Sequence, residues 1–150
     1  MAPRRQPGCL PSGLRVLLVE DEFMVALLME MALTGLGCEV IGPIGRVDKA
    51  LEMAQREALD VAILDVNING TEVYSVAEAL AARGIPFVFV SGYGRKALRA
   101  PWGDRPNLQK PFRIDDLVAV IEEAGAAKRG RSNGSASAST IRQRKARKSP

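Results

Sequence analysis

The chain has 150 residues and a mass of 16.1 kDa, room for one domain with a real core and too little for a multidomain enzyme. Hydrophobic residues at 47% and charged residues at 25% exclude a wholly disordered or fibrous chain, and no apolar run approaches the roughly 20 residues that a membrane-crossing helix needs. The net charge of +4 hides a segregation: residues 13–125 hold all 17 acids against eleven basic residues, whereas residues 126–150 carry eight Lys or Arg and no acid.

In chain order, the first residues include Arg4, Arg5, Pro7, Gly8 and Pro11 and offer no continuous apolar stretch of the signal-peptide kind. Residues 1–12 are expected to be a disordered leader, and the chain to be cytoplasmic. Residues 13–125 are expected to form the domain. Strands are predicted over 14–19, 39–41, 61–64, 87–90 and 107–109; the first, third and fourth are almost continuously apolar, as parallel strands covered on both faces are. Between and after them the helical spacing i, i+3, i+4, i+7 recurs at Met24, Leu27, Leu28 and Met31, at Val47, Ala50, Leu51 and Ala54, at Val73, Val76, Ala77 and Leu80, and at Ile114, Leu117, Val118 and Ile121. The first stripe makes the Met-rich helix a core element rather than a partner groove. Alternation with short connections predicts right-handed βαβ units and an α/β, doubly wound, five-stranded parallel sheet of flavodoxin-like order 2-1-3-4-5. The fourth helix is expected to be short or disordered, because Gly92, Gly94, Pro101, Gly103 and Pro106 crowd that connection and leave at most residues 95–100 helical. Residues 126–150, rich in Ser, Ala and Gly with Ile141 as the one large apolar group, read as a disordered basic tail.

Polar residues fall at the carboxyl ends of these strands. Glu20 and Asp21 follow the first, Asp65 the third, Ser91 the fourth and Lys110 the fifth. In an open parallel sheet those ends share one edge, and strands one and three lie about 4.8 Å apart beside the topological switch point. Three carboxylates therefore converge, an arrangement that is repulsive without a cation, and an all-oxygen site suits Mg²⁺. Lys110 and Ser91 add a positive charge and a hydroxyl, so the crevice can hold a divalent metal together with a phosphoryl group. The chain has no histidine, which excludes a phosphohistidine and His-dependent chemistry on it; Cys9 and Cys38 read as plain thiols.

These residues resemble the receiver domain of two-component response regulators. The resemblance covers residues 14 to about 124 and rests on four motifs in order: Val16-Leu17-Leu18-Val19-Glu20-Asp21-Glu22, Ala62-Ile63-Leu64-Asp65-Val66-Asn67, Phe89-Val90-Ser91-Gly92 and Gln109-Lys110-Pro111-Phe112. It implies that Asp65 is the phosphoacceptor and that Asp21 binds Mg²⁺ directly. Glu20 would bind it through water, and Asn67 through its backbone carbonyl. Ser91 and Lys110 would contact the phosphoryl oxygens, and the Lys110–Pro111 bond would be cis. Two departures stand out. Asn107 occupies the position, three residues before the lysine, where the family places its switching aromatic. Tyr93, two residues after Ser91, is the candidate replacement, since Pro86-Phe87-Val88-Phe89-Val90-Ser91-Gly92-Tyr93-Gly94 resembles the FATGUY-type single-domain receivers. Residues 126–150 offer no core for an output domain, so output is expected to be protein binding.

Blander readings exist for single residues. Glu20-Asp21-Glu22 can serve as helix-start acids, as Asp115 and Asp116 do, and Asn67, Asn69 and Gly70 look like turn chemistry. Trp102 reads as a packing anchor. The expected protein is a stand-alone response-regulator receiver, not an enzyme beyond phosphorylation and dephosphorylation of its own Asp65. Its partners would be a sensor histidine kinase or phosphotransfer protein and an unknown downstream protein, with nucleic acid contacted only through the basic tail and no membrane insertion. The alternatives are a Mg²⁺-dependent phosphohydrolase, which usually carries Asp-x-Asp after its first strand, and a non-phosphorylated receiver-like binding module with a nucleic-acid-binding tail.

Overall fold

The computed structural model describes residues 10–92 and 98–132, and of residues 126–132 the backbone alone. Its elements run β1 (Arg15–Val19), α1 (Phe23–Gly35), β2 (Glu39–Ile44), α2 (Val47–Arg56), β3 (Val61–Asp65), the two-residue strands β4 (Asn67–Ile68) and β5 (Thr71–Glu72), α3 (Tyr74–Ala82), β6 (Phe87–Ser91), a 3-10 turn at Trp102–Asp104, β7 (Asn107–Gln109) and α4 (Ile114–Ser132). Five of the strands form one parallel sheet in the order β2-β1-β3-β6-β7, which is the expected order 2-1-3-4-5 once the small hairpin is set aside. The fold is thus flavodoxin-like.

The sheet is covered on both faces, and the strand alternation sorts its residues between them. Leu17, Val19, Ala62, Leu64, Phe87 and Phe89 point to the side of α2 and α3, where they meet Ala50, Ala54, Val76, Ala77 and Leu80. Val16, Leu18, Val61, Ile63, Val88 and Val90 point to the side of α1 and α4 and pack on Met29, Leu33, Leu117, Val118 and Ile121. Trp102 is buried, stacks on Tyr74 with ring centroids 6.5 Å apart, and meets Phe87 and Phe89 edge-on, which makes it the packing anchor its loop suggested.

Several expectations change. The stripe of α1 that faces the sheet is Ala26, Met29 and Leu33, while Met24, Leu28 and Met31 are 63%, 59% and 63% exposed. Ten of the first eleven residues of this helix are apolar, so periodicity cannot choose a face, and packing on the sheet through Met29 and Leu33 decides it. Ile114 likewise lies outside, leaving Leu117, Val118 and Ile121 to dock α4. β2 runs three residues further than predicted, through an irregularity in its pairing with β1 between Leu17 and Val19. Leu10 is buried among Val16, Leu33 and Cys38, so packing begins inside the segment read as leader. At the other end, the α4 backbone continues seven residues past 125, the expected end of the domain. The connection expected to hold at most a short helix over 95–100 falls mostly outside the described residues, and residues 98–100 are not helical, in keeping with that expectation.

Candidate functional site at the carboxyl edge of the sheet

Each strand of the centre hands a polar group to the same edge. β1 ends at Val19, opposite Leu64, so Glu20 and Asp21 leave the sheet next to Asp65, the last residue of β3. Asp65 stands opposite Val90, and Ser91 follows it on β6, opposite Gln109. The backbone N–H of Lys110 donates to the Ser91 carbonyl at 2.9 Å, which carries the lysine past the sheet edge and back over the acids. The Lys110–Pro111 peptide is cis, as the resemblance implied.

One ligand atom each from Glu20, Asp21 and Asp65 lies within 4.8 Å of the others, so the three acids do converge. The Lys110 ammonium sits 2.8 Å from Glu20 Oε1 and donates to Asp65 Oδ2 at 3.2 Å and to Glu22 Oε1 at 3.0 Å. One cation thus faces three carboxylates, with the Asp21 carboxylate close by. Burial, followed by the neighbouring Asp65, pushes Glu20 up from 4.5 to about 7 against the lowering pull of Lys110 and of the Glu22 N–H, which donates to Glu20 Oε2. Burial alone would lower the lysine, but Glu20, Glu22 and Asp65 outweigh it and hold the ammonium above its ordinary range. The site therefore has a surplus of negative charge that Lys110 does not cancel.

Sequence reading named two of the lysine's three acid partners and missed the third, Glu22, whose signal was its place beside the Glu20-Asp21 pair. It also took Asn69 for turn chemistry alone. Asn69 and Gly70 form the two-residue loop between β4 and β5, both at positive φ (51° and 84°), the hairpin geometry that an Asn-Gly pair favours. The Asn69 N–H donates to Asp21 Oδ2 at 2.9 Å. Asn67 is exposed; its N–H points to Asp65 Oδ1 at 3.4 Å and its side-chain oxygen accepts from Gly70 N–H. Ser91 is 2% exposed at the end of β6. Tyr93 lies outside the described residues. Asn107, where the family pattern has an aromatic, holds its side-chain oxygen buried.

The acids fit a Mg²⁺ ion. The donor set is all oxygen, the three acids bring one ligand atom each within 4.8 Å of one another, and Glu20, on a side chain only 1% exposed, shares the Lys110 ammonium with Glu22 and Asp65. Beside this cleft, Val25, Leu28, Met29, Pro111, Phe112 and Ile114 line an apolar groove of about 520 Å³, with Glu22 and Lys110 also in its wall.

A doubly wound sheet whose carboxyl edge gathers an acidic triad, a buried hydroxyl and a lysine defines a receiver-type signalling domain. The chain belongs to the response regulator receiver domain family, whose pattern it matches over residues 16–122, and so to two-component signalling. It is 32% identical over 114 residues to the transcriptional regulatory protein PdtaR of Mycobacterium tuberculosis, covering 73% of this chain and 56% of PdtaR. It is 28% identical over 116 residues to the phyllosphere-induced regulator PhyR of Methylorubrum extorquens, covering 73% of this chain and 42% of PhyR. The chain thus spans about half the length of these curated relatives. The solution structure of SdrG from Sphingomonas melonis superposes with a TM-score of 0.66 at 38% identity, over 75% of this chain and 99% of SdrG. No helix among the described residues is long and apolar enough to cross a membrane.

Proposed function

We propose that this receiver accepts a phosphoryl group on Asp65 from the phosphohistidine of a histidine kinase or phosphotransfer protein, in a Mg²⁺-dependent reaction, and passes the signal on by protein binding. The observation that carries the reading is the placement of Asp65: one carboxylate oxygen within 3.2 Å of the Lys110 ammonium, and Glu20 and Asp21 within ligand-sharing distance. An Asp65 oxygen attacks the phosphorus, a P–O bond forms, and the P–N bond to the donor imidazole breaks with its electron pair leaving on nitrogen. Negative charge builds on the phosphoryl oxygens, where Lys110 neutralises it and the Ser91 hydroxyl donates to it. Asp21, Asp65 and the Asn67 carbonyl would hold Mg²⁺, with Glu20 reaching it through water; the ion supplies charge neutralisation and orientation of those oxygens.

Incubation with acetyl phosphate and Mg²⁺ followed by intact mass tests the reading. A single phosphate adduct supports it, continuous phosphate release over many turnovers points to a hydrolase, and no adduct removes it. Because Mg²⁺ would bind only the folded cleft, millimolar Mg²⁺ is expected to raise the melting temperature, and Asp21→Ala to abolish most of that rise. An equal rise in the variant would take Asp21 out of the metal site.

The donor's surface follows from α1. Phe23, Met24, Leu28 and Met31 are exposed, and Leu28 and Lys110 line one groove, which supports a donor protein seated there whose histidine would reach Asp65 beside Lys110. Leu28→Glu is expected to slow transfer from a protein donor at least about tenfold, as loss of one apolar anchor does, while uptake from acetyl phosphate stays unchanged. Equal slowing with both donors would move the docking surface elsewhere.

A further inference from the structure

Three loops meet at one asparagine. Asn69 belongs to the β4–β5 turn, but its two polar groups reach outside the hairpin. Its backbone N–H donates to Asp21 Oδ2 at 2.9 Å on the β1–α1 loop, and its side-chain Nδ2 donates to the Gly45 carbonyl at 2.9 Å on the β2–α2 loop. Gly45 itself lies directly against Asp21, since a Cβ placed on it would stand 3.6 Å from Asp21 Cα. The hairpin is therefore tied to the loop behind Asp21 as well as to Asp21 itself. Its left-handed backbone, at φ 51°, aims the N–H at the carboxylate, and asparagine tolerates that conformation better than other residues with a Cβ.

We propose that Asn69 is a positioning residue for the cation site, acting through Asp21. By occupying Oδ2 it fixes the rotation of the carboxylate and leaves Oδ1 for the metal, as second partners orient metal-binding carboxylates generally. By gripping Gly45 it keeps that N–H in place when the acids are uncompensated and repel one another. The role rests on reading Glu20, Asp21 and Asp65 as a Mg²⁺ site, and it adds a residue that does not itself touch the ion.

The test measures Mg²⁺ dissociation constants by calorimetric titration on the whole chain, with melting temperatures in Mg²⁺-free buffer. Asn69→Gly keeps the turn conformation but deletes the grip on Gly45; Asn69→Ala loses the grip and disfavours the left-handed backbone. Mg²⁺ binding is expected to weaken several-fold in the first and roughly tenfold in the second, the usual range for a lost second partner. Gly70→Ala is the control, because it strains the same turn at φ 84° without a contact to Asp21 or Gly45. It is expected to lower the melting temperature more than Asn69→Gly and to weaken Mg²⁺ less. If both Asn69 variants bind Mg²⁺ within twofold of the wild type, or if Gly70→Ala weakens binding as much as they do, Asn69 is only a turn residue and the proposal falls while the metal site stands. If the wild type itself binds no Mg²⁺, the metal site and this proposal fall together.

Discussion

Asp65→Asn is expected to remove the phosphate adduct completely. The carboxamide keeps the shape of the carboxylate, and its one oxygen can still face the Lys110 ammonium at the cost of the longer contact from the Asn67 N–H, so the fold is expected to persist at a residue that is 7% exposed. Its oxygen is neutral and a far poorer nucleophile, and no acyl phosphate forms on it. The variant also removes one negative charge from a cleft that holds four carboxylates and one ammonium. Its melting temperature in Mg²⁺-free buffer is therefore expected to equal or exceed that of the wild type, with a weaker response to Mg²⁺. Intact mass after acetyl phosphate treatment and a melting curve with and without Mg²⁺ measure both. An adduct that persists in this variant would place the phosphoacceptor elsewhere and end the signalling account.

Lys110→Ala carries the second largest effect and has two signs. Phosphoryl uptake is expected to slow by about a hundredfold, the usual loss when a positioned charge at a developing anion is deleted. Mg²⁺ binding is expected to tighten, because Glu20, Glu22 and Asp65 lose their shared cation and the metal faces more uncompensated charge. General damage to the cleft would weaken both, so the opposite signs separate loss of a charge from loss of structure. Lys110→Arg is expected to recover only part of the rate, since the planar guanidinium does not reproduce a compact ammonium between three acids. Rates from acetyl phosphate and calorimetric Mg²⁺ titrations decide; a Lys110→Ala chain with unchanged rate would take Lys110 out of the transfer step.

Both variants act on residues that sequence alone singled out, and the reason is topological. A parallel sheet built from right-handed units delivers every strand's carboxyl end to one edge, so the residue after each apolar run can be placed without coordinates. Asp65, Glu20, Asp21, Ser91 and Lys110 were legible in that way. Glu22 and Asn69 were not, because each has a sufficient local explanation, a helix start and a hairpin turn, and their second partners are 88 and 48 residues away. Long-range hydrogen bonds leave no local pattern.

The face of α1 marks the same boundary from the side of packing. Helical spacing at Met24, Leu27, Leu28 and Met31 marked the segment as a helix and the strand–helix alternation made it a layer on the sheet, but ten apolar residues in eleven satisfy every other rotation as well. Which stripe turned inward was settled by the surface it met: Met29 and Leu33 pack with Val16, Leu18 and Ile63, leaving Met24, Leu28 and Met31 exposed, with Leu28 in the groove that Lys110 also lines. Element types, strand order and the edge that carries the acids were written in period and order along the chain, which local sterics and chain connectivity read directly. The rotation of each helix, the three acids gathered on Lys110 and the grip of Asn69 came from close packing between distant segments, because shape complementarity and long-range hydrogen bonds exist only once those segments are in contact.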